Sequence, residues 1–301
     1  MKRLFLSLLL AFTSVWVCNA QLLYKISHAG LKKPSYIVGT YHLAPASFID
    51  SISGAKAVLN SVDVVCGEVV TSEMQSKANE KKVKAAMTLP GGKSLSDILT
   101  AGEMQRLNTY MDKLMGMDLG NPLLRSQMGK MTPMAVSIML QMVQYMKLTP
   151  NFNPMKLIDA HFQKVAKKAG KRVVGLETVD FQIATLYKGA SIERQKQQLF
   201  CMIENDGYYS MQMKELTAAF FAQDIQALWE ITEERLGNQC DSTPQEDYAL
   251  IYDRNSAWAA KIPAMIGEAS TLFVVGAAHL PGDKGVLELL KAKGYTIEAV
   301  R

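Results

Sequence analysis

The sequence predicts an α/β protein with a mixed, mainly parallel central sheet that is flanked by helices. Short apolar runs rich in Val, Ile and Phe recur along the chain, and segments with helical spacing separate most of them. The chain has 301 residues, of which 49% are hydrophobic and 20% are charged, so it can bury a real core. This composition excludes a disordered chain.

Residues 1–20 have the features of a secretory signal peptide. Two basic residues precede an apolar run over residues 4–17, and small residues follow at the positions that a signal peptidase recognises. The apolar run is too short to form a helix that spans a bilayer, and no later stretch is long and apolar enough to form one. We therefore expect an exported bacterial protein, periplasmic or secreted, that starts near Gln21 and has no integral membrane segment.

The charge of the mature chain is nearly balanced. Removal of Lys2 and Arg3 with the signal leaves 31 of the 33 basic residues against 28 acidic ones, so the net charge falls from +5 to +3. This balance argues against nucleic acid or an anionic membrane as the main partner.

Three cysteines remain after the signal, and an oxidising compartment favours a disulfide between two of them. Cys201 and Cys240 flank helical segments in one region, so we expect them to pair. Cys66 lies in an apolar run without a basic neighbour. We expect it to be a buried free thiol rather than a nucleophile.

Six strands and several groups of helices are expected along the chain. The strands are predicted at about residues 22–27, 35–40, 62–66, 172–175, 271–276 and 295–300, and Gly30 and Pro34 predict a hairpin turn between the first two. Helices are predicted at about residues 55–60, through an insertion over 72–170 that includes Thr132–Lys147, through further helices over 179–261 with one at 244–261, and at 283–293. We expect residues 21–301 to form one domain.

Four of the apolar runs end in a glycine that is followed, one to three positions later, by an ionisable residue. These residues are His42, Glu68, Glu177 and His279. Ligands of open α/β sheets bind at the carboxyl ends of the strands, and glycine there lets the backbone turn beside a ligand. A single such residue is more often a cap or a helix-terminal charge. Four together favour one shared site.

Two histidines with one or two carboxylates are a plausible ligand set for a divalent metal ion such as zinc, cobalt or manganese. An open metal site holds a water whose pKa the metal lowers, and a carboxylate that is not bound to the metal can act as general base. The other two histidines, His28 and His161, fit structural roles in a turn and on a helix.

A predicted helix near the C-terminus adds two more candidates. Arg254 and Trp258 lie four positions apart and share a helix face. Arg254 can hold a substrate carboxylate or an oxyanion, and Asn255 can donate a hydrogen bond to the same group. A purely structural alternative stays open, in which Arg254 stacks on Trp258 and pairs with an acid.

These motifs, taken in order, resemble the TraB/GumN family, which is related to the TIKI-type proteases that act on Wnt proteins. The resemblance runs from residue 22 to the end and rests on the following residues: Gly39-Thr40-Tyr41-His42, Glu68, Leu157-Ile158-Asp159, Leu176-Glu177-Thr178, Gln182, Arg254-Asn255-Ser256-Ala257-Trp258, Val275-Gly276-Ala277-Ala278-His279-Leu280-Pro281-Gly282, Gly285 and Gly294-Tyr295.

The resemblance implies a fold like that of erythromycin esterases and ChaN-like proteins, and metal-dependent peptide hydrolysis supported by manganese or cobalt. It implies His42, Glu68 and His279 as the catalytic and metal-binding set, with Arg254 and Asn255 in support. Glu177 matches a family position to which we assign no role.

The expected function is therefore that of a secreted metal-dependent hydrolase that cleaves a peptide or protein. Two alternatives use the same cleft. One is a protein that binds haem, a metal or another ligand without turnover, and the other is an esterase-like hydrolase that needs no metal. Eleven of the 18 methionines lie between Met104 and Met155, in the predicted helical insertion. A third alternative, an interaction module built on these methionine-rich helices, needs none of the site residues.

Overall fold

A computed structural model describes residues 21–301, and the predicted signal peptide lies outside the described residues. Within this range six strands form one mixed sheet, and fifteen α-helices flank it. This architecture confirms the α/β prediction. None of the helices in residues 21–301 is both long and apolar enough to cross a bilayer.

The sheet has the spatial order β4-β3-β5-β2-β1-β6. Its strands are β1 (Leu23–Ser27), β2 (Ser35–Thr40), β3 (Val64–Gly67), β4 (Arg172–Gly175), β5 (Thr271–Gly276) and β6 (Thr296–Ala299). Strands β4, β3, β5 and β2 are parallel, whereas β1 pairs antiparallel with both β2 and β6. The predicted hairpin is therefore present, and the four parallel strands end at one edge of the sheet.

Most helices lie in two long connections between parallel strands. The described α-helices are α1 (Ala55–Ser61), α2 (Thr71–Met74), α3 (Lys77–Ala86), α4 (Leu95–Ile98), α5 (Ala101–Met115), α6 (Pro122–Met128), α7 (Pro133–Leu148), α8 (Ile158–Lys168), α9 (Val179–Lys188), α10 (Ile192–Glu204), α11 (Asp206–Phe221), α12 (Ile225–Glu233), α13 (Pro244–Asp247), α14 (Asp253–Glu268) and α15 (Val286–Ala292). Helices α2–α8 connect β3 to β4, and helices α9–α14 connect β4 to β5.

The helix predicted at residues 244–261 is longer than expected. A π-helical turn at Tyr248–Tyr252 joins α13 to α14, which continues past Pro263 to Glu268. Ile262 and Ile266 are both buried one helical turn apart, and their burial maintains the helix beyond the proline.

Both faces of the sheet are buried, because alternate side chains of each strand point to opposite sides. On one face Val38, Val65 and Val274 pack against helices that include α1 and α8. On the other face Phe273 and Val275 pack against α14 and α15.

A separate cluster of buried side chains joins α5, α7 and α10 within the helical connections. The structure joins Cys201, in α10, to Cys240 by a disulfide with a Cα–Cα distance of 5.4 Å. Cys66 is a free thiol on β3, and burial raises its pKa to about 12. A thiol with this pKa stays protonated near neutral pH and is a poor nucleophile.

Candidate functional site

The four ionisable residues predicted at strand ends lie along one edge of the sheet. The neighbouring strands β4, β3, β5 and β2 lead into Glu177, Glu68, His279 and His42, in that spatial order. The register aligns the terminal glycines of the first two strands, with Gly67 opposite Gly175. Residues that are far apart in sequence are thereby placed side by side.

Arg254 extends from α14 into the middle of this edge and is only 6% exposed. Its Nε donates to Glu177 Oε1 at 2.8 Å, and its Nη2 donates to Glu68 Oε2 at 2.6 Å and to Glu177 Oε2 at 3.0 Å. Its Nη1 donates to the carbonyl of Leu250 at 3.0 Å and faces His279 Nε2 at 3.1 Å. The five N–H groups of the guanidinium therefore have partners within the protein.

Glu68 is ionised by its surroundings. Burial by itself would raise its pKa, but the neighbouring His279, His42 and Arg254 and the Gly276 N–H lower the pKa to about 2. Glu68 Oε1 accepts that N–H at 2.8 Å. Burial lowers the pKa of His279 to about 4, so at neutral pH the positive charge beside Glu68 comes from Arg254 and His42.

Asn255, next to Arg254 on α14, orients His279. Its Oδ1 lies 2.6 Å from His279 Nδ1, and its Nδ2 donates to the carbonyl of Lys284 at 2.8 Å. An amide oxygen only accepts hydrogen bonds, so these partners place the proton of His279 on Nδ1 and leave Nε2 to accept from Arg254. The Asn255 side chain therefore bonds His279 and the Lys284 carbonyl, whereas the sequence suggests that it donates to a substrate group.

Trp258 completes the packing around this network. Its indole Nε1 donates to Glu177 Oε1 at 2.8 Å, and its ring lies 4.9 Å from the Arg254 guanidinium and 4.4 Å from the His279 ring. The structural alternative considered for Arg254, stacking on Trp258 and pairing with an acid, describes this arrangement.

His42 has a different environment, because its side chain is 69% exposed. Its Nδ1 lies 3.4 Å from Asp159 Oδ2, and Thr40 Oγ1 donates to Asp159 Oδ1 at 2.5 Å. The hydrogen bond to Asp159 raises the pKa of His42 to about 9, while exposure to solvent screens this attraction. No hydrogen bond joins Nε2 of His42 to another of the described residues, so this nitrogen is available to a substrate.

His42, Glu68 and His279 meet above Gly276, the last residue of β5. A β-carbon built on Gly276 would lie 3.4 Å from Glu68 Oε1, 3.4 Å from His279 Cδ2 and 3.9 Å from His42 Nε2. A methyl group at this position would be in van der Waals contact with all three side chains. His42, Glu68 and His279 therefore converge at the end of β5, around Gly276.

The donor atoms of this edge do not fit a metal ion as they are arranged. Both oxygens of Glu68 and both ring nitrogens of His279 have protein partners, and the Arg254 cation lies between the two residues. Within residues 21–301, no group of three or more His, Cys, Asp or Glu side chains is placed to hold a metal. A guanidinium in this position repels a second cation.

Two residues that sequence reasoning left without a role also belong to the site. Asp159, at the start of α8, is the partner of His42, and Gln182 on α9 donates from Nε2 to Glu68 Oε2 at 3.0 Å. Both stand in the motifs quoted for the resemblance, but neither follows a strand. The placement rule that identified the other four therefore missed them.

The remaining histidines lie in structural positions. His28 accepts from the Gly30 N–H in the turn between β1 and β2, and its ring packs 5.3 Å from the Tyr295 ring. His161 lies on α8, and burial lowers its pKa.

The chain matches a known family along nearly all of its described length. No curated protein and no solved structure matches the chain. The sequence model of the TraB/PrgY/gumN family matches residues 22–299, which includes every strand and every site residue described above. The chain therefore belongs to the TraB/PrgY/gumN family.

Proposed function

We propose that the protein is a hydrolase that cleaves a carbonyl substrate, a peptide or an ester, with His42 as its general acid–base residue. The observation that carries this proposal is the contrast between the two histidines. His279 is 4% exposed with both nitrogens bonded, whereas Nε2 of His42, beside the Glu68 carboxylate, has no hydrogen-bond partner within residues 21–301. A positioned acid–base side chain needs such an accessible nitrogen.

The proposed chemistry uses a water molecule above Gly276. Neutral His42 carries its proton on Nδ1 and directs this N–H to the Asp159 carboxylate, which stays ionised. Its Nε2 removes a proton from the water as the water attacks the carbonyl carbon, and His42 becomes an imidazolium. Glu68 Oε1 lies near the same point and can hold the water by accepting its second hydrogen. Imidazolium at His42 then returns the proton to the leaving group.

Arg254 and Glu177 act in this proposal as positioning residues. The bidentate pair, with Nε to Oε1 at 2.8 Å and Nη2 to Oε2 at 3.0 Å, fixes the guanidinium. The guanidinium in turn keeps Glu68 ionised and keeps Nε2 of His279 occupied.

The family resemblance supports a metal-dependent peptidase as the finer form of this function, but the site geometry favours hydrolysis without a metal. Binding of a metal at His279 Nε2 requires Arg254 Nη1 to move away, and binding at Glu68 Oε2 requires Arg254 Nη2 to move away. If this movement also separates the guanidinium from Glu177, the buried carboxylate loses its ion-pair partner, which is costly.

The test is hydrolysis by the purified protein of a peptide library and a panel of nitrophenyl esters, after chelation and after addition of manganese, cobalt or zinc. We expect turnover to survive chelation and His42→Gln to lower kcat/KM by about 100-fold or more. His161→Gln, on α8, is the matched control and should retain full activity. Full activity of His42→Gln contradicts the proposal, and turnover that requires added metal supports the metal-dependent peptidase instead.

We also propose that the protein works outside the cytoplasm, in the periplasm or as a secreted protein. The signal-like segment and the Cys201–Cys240 disulfide support this location, because oxidising compartments preserve disulfides. The mature protein should start near Gln21 and should react with two more equivalents of a thiol reagent after reduction. A cytoplasmic protein that retains residues 1–20 and has three free thiols after the signal would contradict this location.

A further inference from the structure

A large, mostly apolar cavity lies between α3 and α9, outside the edge that holds His42. Its volume is about 670 Å³, which is within the range of about 300–1,000 Å³ that is typical of small-molecule sites. Apolar side chains from four parts of the chain form most of the wall: Met74, Val83, Met87, Met131, Ile183 and Leu186.

The cavity and the proposed reaction centre share a wall. Gln182 lines the cavity, and its Nε2 donates to Glu68 Oε2 at 3.0 Å. Met74, which also lines the cavity, ends the short helix α2 that begins three residues after Glu68. The Gln182 side chain therefore links the cavity to the Glu68 carboxylate.

Helix α9 supplies both the polar link and the apolar surface. Gln182, Ile183, Leu186 and Tyr187 lie at positions i, i+1, i+4 and i+5, so they share one face of the helix, and all four line the cavity. The apolar side chain of Leu186 is 41% exposed to solvent at this position. An apolar ligand that covers this side chain gains hydrophobic free energy.

We propose that this cavity is the specificity site of the enzyme and binds a large apolar group of the substrate next to the scissile bond. The inference rests on the proposed hydrolase function and names its substrate class, which is a peptide or ester with a long aliphatic or aromatic group on one side of the carbonyl. Three methionines in the wall allow groups of different shape to fit, because the thioether side chain is flexible and polarisable.

The charged residues that line the cavity are compatible with an apolar substrate group. Glu80, Lys84 and Lys130 contribute to the lining but are exposed to solvent, so they form a rim of both signs around an apolar interior. A neutral apolar group of the substrate packs against the apolar interior, and the polar part of the substrate extends towards Gln182 and Glu68.

The first experiment measures binding and does not depend on turnover. The neutral fluorescent probe N-phenylnaphthylamine is titrated into the full chain, and decanamide and acetamide are used as competitors. We expect saturable binding that decanamide displaces and acetamide does not. Leu186→Glu should weaken probe binding by about tenfold or more, because the probe would bury an unpaired carboxylate.

Phe181→Glu is the matched control, since Phe181 is also an exposed apolar residue of α9, at 47%, but does not line the cavity. It should leave the affinity for the probe within about twofold of wild type. A second variant, Gln127→Trp on α6, fills cavity volume from another wall and should also weaken binding. Equal probe affinity in wild type, Leu186→Glu and Gln127→Trp overturns the inference.

The second experiment compares kcat/KM for nitrophenyl acetate and nitrophenyl decanoate. We expect wild type to prefer the decanoate by about tenfold or more, and Leu186→Glu to lower kcat/KM for the decanoate by more than for the acetate. Hydrolysis without any chain-length preference overturns the cavity inference and leaves the hydrolase proposal standing. If the probe binds in a way that depends on Leu186 but no ester or peptide is hydrolysed, the cavity is confirmed as an apolar binding site and the hydrolase proposal is contradicted.

Discussion

At the scale of single residues, the site combines one accessible histidine with a closed ionic network. His42 has a carboxylate partner on one nitrogen and a free second nitrogen, whereas His279 is held on both sides. The two Gly-x-x-His motifs are alike in sequence but have unlike surroundings. Asp159 is the residue that distinguishes His42, because it sets both the proton position and the pKa of the ring.

The pH dependence of the reaction should follow this pair. His42 acts as a base only when it is neutral, and Asp159 raises its pKa to about 9, so kcat/KM should rise with pH through the neutral range towards about 9. Asp159→Asn removes the negative charge, which lowers the pKa of His42 towards 6.5 and moves the rising limb to lower pH.

The measurement is kcat/KM against pH for wild type and Asp159→Asn. The plateau of the variant should fall, since the ring loses the acceptor that fixes its Nδ1 proton. Asp180→Asn is the control, because Asp180 pairs with Lys82 on the surface and should leave the limb in place. A rising limb at the same pH in wild type and Asp159→Asn contradicts the role of Asp159.

At the scale of elements, the glycines at strand ends bring the backbone and neighbouring side chains together. A β-carbon on Gly67 would overlap Gln163 Nε2 and lie 2.9 Å from the Val69 carbonyl. Gln163 is buried on α8 and bridges the chain just after Glu68, since it donates to the Val69 carbonyl and accepts from the Thr71 N–H, each at 2.9 Å. Hydrogen bonds from Gln163 therefore hold the segment that follows β3 against α8.

Gly67→Ala should destabilise the fold and disturb Glu68. The new methyl group displaces Gln163 and leaves the Val69 carbonyl and the Thr71 N–H without their partner, at a cost of about 1–3 kcal/mol. Gly207→Ala is the matched control, because its β-carbon position in α11 has no contact within 4 Å in the described part of the chain beyond its neighbours and its own helix backbone. Alanine there should raise the free energy of unfolding by about 0.5–1 kcal/mol.

Urea unfolding at neutral pH measures both changes. The two variants differ only in where a methyl group is added, so opposite signs of the change isolate the packing at the end of β3. A loss of less than about 0.5 kcal/mol in Gly67→Ala would show that Gln163 can move freely, contrary to its buried position.

At the scale of the whole molecule, the site depends on the order of strands in the sheet. The chain segments that carry Glu68 and Glu177 are separated by more than one hundred residues of helical connection, yet β3 and β4 are neighbours. Arg254 then ties both acids to α14. The buried ionic network therefore joins the strand edge to a distant helix, and its protonation is linked to global stability.

Global stability should fall in acid because of His279. Its pKa is about 4 in the folded protein and 6.5 in the unfolded chain, so the unfolded state binds more protons between these values. The contribution of His279 is fully present above about pH 6.5 and is lost as the pH falls to about 4. The loss amounts to about 3 kcal/mol.

The measurement compares the free energy of unfolding at about pH 7 and about pH 4.5 in wild type and in His279→Gln, which cannot take up this proton. The pH-dependent loss should be smaller in His279→Gln. His28→Gln, in the turn between β1 and β2, should keep the wild-type loss. An equal loss in wild type and His279→Gln would contradict a buried neutral imidazole at this position.

The sequence by itself determined the fold class, the strand positions to within about two residues, and the four strand-end residues that share the site. These features follow from local periodicity and from the rule that parallel strands end at one edge, so no contact partner had to be known. Family membership was also accessible, because motifs such as Val275-Gly276-Ala277-Ala278-His279 stand in the sequence itself.

Only the tertiary structure decided how these residues are used. Arg254 meets Glu68 across 186 residues, and Asp159 meets His42 across 117 residues. Such pairings depend on how helices pack on the sheet, which local periodicity does not encode. For the same reason, the sequence did not predict that the guanidinium lies between the expected metal ligands, or that a cavity lies next to Gln182. Each is formed by side chains whose neighbours are set by the folded core rather than by their positions in the chain.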